Sequence, residues 1–168
     1  MPASAVPKSR DAARQVARPL TIDDLEAVIA IDHAYTGHAR RPFFAKRMAT
    51  AARHSGDFIQ LGVTWDGSLC GFAIARLLRG EFGREQTVAV LDVIGVEPQS
   101  QERGVGRCLM QELASALRGM GVRALHSQAD WKDQHLLRFL HASGFEIAPR
   151  LALERSVREP LGEPVEEG

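Results

Sequence analysis

Residues 88–107 read VAVLDVIGVEPQSQERGVGR. Up to Val96 the run is apolar except for Asp92, too continuous for a half-exposed strand, and it predicts a central strand covered on both faces. A turn containing Pro98 ends it, and Gly104 and Gly106 then open a helix. The start of a helix leaves backbone N–H groups unbonded, and its dipole adds partial positive charge. The peptide nitrogens from Glu102 to Arg107 therefore form a cradle for an anion. Gly104 and Gly106 remove side chains so that a diphosphate can approach the backbone, and Arg103 and Arg107 can add charge. Two other phosphate loops do not fit. The third glycine of the dinucleotide fingerprint would fall at Leu109, and the Gly-Lys-Ser/Thr of a P-loop is absent. The pattern satisfied is Gln-x-x-Gly-x-Gly, at Gln101, Gly104 and Gly106.

On the N-terminal side, residues 15–20 read as a short strand. Thr21 opens a helix, with an acid three residues on and apolar Leu25, Val28, Ile29 and Ile31 following. A second helix is expected over 42–53. Strands over 58–65 and 69–78 are joined by Asp66-Gly67-Ser68, a hairpin signal because the turn needs positive φ. The central strand covers 87–96. Beyond the glycines, a helix is expected over 104–120, with Val105, Cys108, Leu109, Leu113, Leu117 and Met120 on one stripe. A strand over 122–128, a helix over 133–142 and a closing strand pair, 145–147 with 151–157, complete the order. Such a chain packs as a mixed sheet with helices on its faces.

At 168 residues the chain suits one domain. The expected layout is a flexible arm over 1–13, a folded body over 14–158 and an acidic tail over 159–168. Lys plus Arg and Asp plus Glu both number 21, for a net charge of +0. That balance argues against a nucleic-acid binder, which needs surplus cations to displace counterions. No apolar run approaches the ~20 residues of a bilayer span, and the N-terminus lacks the apolar core of a secretory signal. A cytoplasmic protein without a membrane partner is the expectation. The two cysteines, Cys70 and Cys108, lie in apolar patterns and read as small buried hydrophobes; the six histidines show no zinc-ligand spacing, so no metal is expected.

Taken together, the buried strand, the Val96-Glu97-Pro98 turn, the loop Gln101-Glu102-Arg103-Gly104-Val105-Gly106 and the late helix ending in Gly144-Phe145 resemble the GNAT N-acetyltransferase superfamily. The resemblance covers about residues 14–158. It implies an α/β fold with a central mixed, mostly antiparallel sheet of about seven strands and about four helices. It also implies acetyl-CoA as cosubstrate: the backbone of Ile94 and Val96 would pair with the pantetheine amides, the Ile94 N–H would polarise the thioester carbonyl, and the loop amides would hold the pyrophosphate. Gly95 suits a bulge in that strand. Asp133 stands where the family often has an Asn near the cofactor, and it equally suits the N-cap of the last helix.

Asp92 is the one charge within the strand. By alternation it shares a face with Val90, Ile94 and Val96. An unpaired buried carboxylate tends to a raised pKa, which would make it a base for an ammonium acceptor; the other reading is a carboxylate satisfied by backbone N–H groups or by a cation such as Arg76. The tyrosine with which many members protonate the departing thiolate is replaced by Leu140. Water, His135 or the single tyrosine, Tyr35, would substitute, or the thiolate leaves unprotonated. Asp32 could receive an acceptor ammonium, and Arg40, Arg41, Lys46 and Arg47 a carboxylate or phosphate. Trp131 reads as pocket lining or core, and Gly71 and Ala73 as room for a longer acyl chain or as close packing.

The expected activity is acetyl transfer to a primary amine, of a small molecule or of a protein lysine or N-terminus, by direct attack in a ternary complex. A non-catalytic acyl-CoA-binding regulatory module is the alternative. The final strand pair offers an edge for a possible homodimer.

Overall fold

The computed structural model describes residues 15–79 and 86–158. The arm over 1–13 and the tail over 159–168 lie outside the described residues.

Five strands form one sheet in sequence order: β1 (Gln15–Pro19), β2 (Phe58–Trp65), β3 (Ser68–Leu78), β4 (Val88–Val96) and β5 (Leu125–Ser127). The first three pairings are antiparallel and β4–β5 is parallel. Between Trp65 and Ser68 the chain reverses through Asp66 at φ 49° and Gly67 at φ 85°, the left-handed pair that a tight hairpin needs. Helices α1 (Leu25–Thr36) and α2 (Arg41–Arg53) cover one face of the sheet, and α3 (Val105–Gly119) and α4 (Gln134–Ala142) the other.

Two cores follow from the alternation of β3. Ala73, Ala75 and Leu77 turn toward α3, meeting Val105, Leu109, Leu113 and Leu117. Phe72 and Ile74 turn the other way, onto Val28, Ile31 and Phe44. The cluster of small residues on the α3 side lets that helix lie close. A Cβ at Gly71 would stand 2.6 Å from Val105 Cγ1, so Gly71 serves packing and leaves no room for a longer acyl chain.

The entry to α1 is held by side chains. Asp24 accepts the Thr21 N–H at 2.8 Å, as its spacing predicts, and takes both ends of the Arg18 guanidinium at 2.8 and 2.7 Å. The hydrogen bonds from Arg18 hold the Asp24 carboxyl below the usual carboxylate range, against the opposing effect of its burial.

Two expectations are corrected. Among the described residues the sheet has five strands where about seven were expected: residues 145–147 and 151–157 form no strand, and Ile147, Leu151, Leu153 and Val157 are exposed. A strand needs a neighbouring edge, and β5, reduced from the expected 122–128 to three residues, offers little to pair with. The bulge in β4 is not at Gly95. Ile74 faces Val93 and Ala75 faces Leu91, so Asp92 is the extra residue. Gly95 pairs regularly with Phe72, and its missing side chain is explained by that ring, which a Cβ would approach to 2.8 Å.

Candidate active site

The bulge at Asp92 reverses the alternation of β4. Before it, Ala89 and Leu91 face α3 and Val90, by alternation, the opposite side; after it, Ile94 and Val96 face α3 and Val93 faces α1 and α2. Asp92 therefore shares a face with Val90 but not, as simple alternation predicts, with Ile94 and Val96. A chain that packs apolar residues on both faces cannot reveal such a slip by its pattern.

β4 also outruns its neighbour. β5 pairs only with Ala89, Val90 and Leu91, and the Ser127 hydroxyl donates to the Leu91 carbonyl at 3.3 Å. From Asp92 onward no strand among the described residues follows on that side. The Glu97 N–H turns to β3, donating to the Cys70 carbonyl at 2.8 Å. By alternation the amide groups of Ile94 and Val96 point away from β3, toward the gap.

At the end of β4 the loop turns through Glu102 at φ 62° and Gly104 at φ 81° into α3. Gly104 is free of neighbours and is demanded by its left-handed backbone. Gly106 is demanded by packing: a Cβ there would meet Phe139 Cε2 of α4 at 2.8 Å. The first helical N–H with a backbone acceptor is that of Cys108, on the Gly104 carbonyl at 2.9 Å. The N–H groups of Val105, Gly106 and Arg107 stay available, as the sequence predicts.

One groove of about 1980 Å³ runs from α1 and α2 across β4 to α4. It is lined by Asp92, Ile94, Gly95, Val96, Gln101, Glu102, Gly104, Val105, Gly106, Arg107 and Asp133. Of the residues expected to hold the cofactor or act as base only Arg103 stands outside it, its guanidinium 5.6 Å from the centre of the Trp65 ring; of the residues expected at the acceptor, Arg41 and Lys46 do not line it either. Asp133 caps α4, accepting the Leu136 N–H at 3.0 Å, while lining the same groove.

Asp92 is not unpaired. Its two oxygens accept from Arg76 Nε at 2.9 and 2.7 Å, and Arg47 Nη1 lies 3.2 Å from Oδ2. Arg47 is steadied by the rings of Phe43 and Phe58, whose centres lie 5.4 and 5.8 Å from its guanidinium carbon. Nearby, Arg40 binds Asp32 through Nε at 2.8 Å and through Nη2, which raises the guanidinium's pKa. Arg41 is engaged elsewhere, by Glu26.

Tyr35 completes the site. Its hydroxyl donates to the Val96 carbonyl and receives the Gln101 side-chain amide, and burial pushes its pKa up. The sequence offered this tyrosine only as a substitute acid; nothing in its spacing ties it to residues more than sixty positions away. Leu140, where the resemblance would place a tyrosine, is 6% exposed in the α3-side core. Trp131 is neither core nor groove, being 76% exposed with Lys132 over its ring. Burial raises the pKa of the Cys70 and Cys108 thiols, which disfavours either as a nucleophile.

No curated protein sequence matches the chain. Among solved structures, the aminoglycoside N-acetyltransferase AAC(6')-Iy, in complex with the bisubstrate analogue CoA-S-monomethyl-acetylneamine, is similar at TM-score 0.72 and 20% identity, over 86% of this chain and 99% of that one. AAC(6')-Ih from Acinetobacter baumannii gives 0.73 and 16%, over 89% and 100%. A transcriptional regulator from Bacillus halodurans C-125 gives 0.73 and 14%, over 85% and 99%. At these identities the likeness is one of fold. A sequence model of the acetyltransferase (GNAT) family, by contrast, matches residues 25–145, a span holding α1, the bulged strand, the glycine loop and α4. The chain belongs to the GNAT acetyltransferase family.

Proposed function

We propose that the protein transfers the acetyl group of acetyl-CoA to a primary amine. The observation that carries this is the continuity of the unpaired edge of β4 with the uncapped start of α3 along one groove. An extended pantetheine arm would bond to the Ile94 and Val96 amide groups as an added strand. The N–H groups of the loop would bind the pyrophosphate.

In the reaction the amine nitrogen attacks the thioester carbon, with the Ile94 N–H bonding the developing oxyanion. The C–N bond forms, the C–S bond breaks, and the sulfur leaves as thiolate. An ammonium acceptor loses one proton before attack and the attacking amine a second one after it. One of these returns to the thiolate and the other goes to solvent. A carboxylate has about four acceptor directions, and the contacts from Arg76 and Arg47 leave Asp92 with room for one more bond. That remaining direction is what Asp92 would offer to the acceptor ammonium, directly or through water. When the pantetheine amide takes the Val96 carbonyl, the Tyr35 hydroxyl is displaced and becomes the proton donor for the thiolate. A phenol in the groove also answers the absence of a tyrosine at Leu140 and so favours the enzyme over a non-catalytic module.

The test is calorimetry and thermal melting with coenzyme A, followed by thiol release from acetyl-CoA with a panel of amines. Binding in the micromolar range, a raised Tm and amine-dependent thiol release are expected. No heat and no Tm change at saturating coenzyme A would refute the reading.

A further inference from the structure

The end of the groove away from the glycine loop is built from charged side chains whose pairing is incomplete. Asp32 has both oxygens on Arg40, and Asp92 has both on Arg76. Arg47 then approaches the already paired Asp92 at 3.2 Å with one of its nitrogens, Nη1. Three guanidiniums thus meet two carboxylates, and the surplus cation is Arg47, which lines the groove beside Asp92 and Val93.

Arg47 is placed to receive a ligand. Its side chain is 24% exposed, and its guanidinium lies over the rings of both Phe43 and Phe58. Aromatic faces hold the plane of the fork without using its N–H groups. Among the described contacts Nε and Nη2 of Arg47 make no hydrogen bond, so one edge of the fork is free for a planar, two-oxygen anion. A polycationic acceptor would bring further positive charge to a place where cations already outnumber carboxylates.

We infer that the acceptor is an amine that also carries a carboxylate, of the amino-acid class, with its carboxylate on Arg47 and its amino group at Asp92. The inference rests on the acetyltransferase reading and specifies its second substrate. Nitrogen and carboxylate are separated by one carbon in an α-amino acid, which suits an anion site and a cation site as close as Arg47 and Asp92. The products are the N-acetylated acid and free coenzyme A, with one proton released to solvent for each ammonium acetylated.

The experiment compares each of a set of α-, β- and γ-amino acids with its own carboxamide, and with a polycationic aminoglycoside, in acetyl-CoA-dependent thiol release by the full chain. The Tm rise with coenzyme A is measured in parallel. At least one amino acid is expected to exceed its amide about tenfold or more in kcat/KM, the selectivity of a charge-assisted fork. In Arg47→Gln that ratio should fall toward one, while the Tm rise with coenzyme A persists and shows that the variant is folded. Turnover of the amides or the aminoglycoside equal to or above that of every amino acid would overturn the inference and leave the transferase standing. Coenzyme A binding without turnover of any carboxylate-bearing amine would overturn it as well. Loss of coenzyme A binding by the wild-type chain would remove both.

Discussion

The two ends of the groove are made of different material. At the α3 end the groups offered to a ligand are peptide N–H and C=O groups of β4 and the glycine loop, fixed by backbone geometry. At the α1–α2 end they are side chains, Asp32, Arg40, Arg47, Arg76 and Asp92, drawn from α1, α2 and its N-cap, β3 and β4 and fixed by one another. The first kind of site depends on φ angles and on missing side chains; the second depends on charge balance. Substitutions, pH and salt should therefore act on the two ends separately.

The largest effect is expected at Asp92. Asp92→Asn removes the acceptor group and leaves Arg47 and Arg76 without their shared carboxylate. Turnover should fall on the order of 10²-fold, as for loss of a general base. The fall should be steepest at low pH, where the amine is most protonated. Coenzyme A affinity by calorimetry should be unchanged. A fall that is equal at all pH values would count against proton transfer, and a matching loss of cofactor affinity would break the division between the ends.

Gly104→Val is the reciprocal change. At φ 81° a β-branched residue costs about 1–2 kcal/mol, and its side chain would stand in the open space beside the loop that the pyrophosphate would take. Coenzyme A should bind roughly tenfold more weakly or worse, while the preference among acceptors stays as in the wild type. Unaltered affinity would place the nucleotide elsewhere.

Tyr35→Phe touches both ends, because α1 lends its hydroxyl to the Val96 carbonyl. Removing that competitor should tighten coenzyme A binding by a few-fold, the worth of one neutral hydrogen bond at about 1 kcal/mol. Losing the proton donor should lower kcat at the same time. Opposite signs in binding and turnover are the signature; a loss in both would make Tyr35 merely structural.

The smallest effect concerns stability in acid. Asp24 has a folded-state pKa below its unfolded value, chiefly through the hydrogen bonds from Arg18. Its contribution is therefore complete above the unfolded pKa of ~4 and is lost as pH falls through the lowered folded value. Asp24→Asn should cost about 1–2 kcal/mol near neutral pH and show less acid sensitivity than the wild type. Hydrogen exchange should place the loosening in α1, with α3 unaffected. Equal loosening of both helices would mean that the sheet transmits the change.

Much of this was legible beforehand. Asp66-Gly67 announced its hairpin, the stripe of α3 its buried face apart from Met120, which lies past the helix and is exposed, and Gln101, Gly104 and Gly106 a helix start with free N–H groups. All of these depend on residues near in sequence and on the φ angles or periodicity that those residue types permit. The closing strand pair failed because the alternation of 151–157 describes a surface ready for pairing without saying whether an edge lies beside it.

What the chain determined by itself is thus the order of its elements, the buried β4 and the backbone cradle, since local sterics and hydrophobic periods act wherever the chain goes. Tertiary structure alone decided the bulge that turns Asp92 from the Ile94 face, the reach of Tyr35 to Val96, and the meeting of Arg47 with a carboxylate that Arg76 already holds. Those depend on which strand or helix comes to lie beside which, and a charge acquires its meaning only from its neighbours in space.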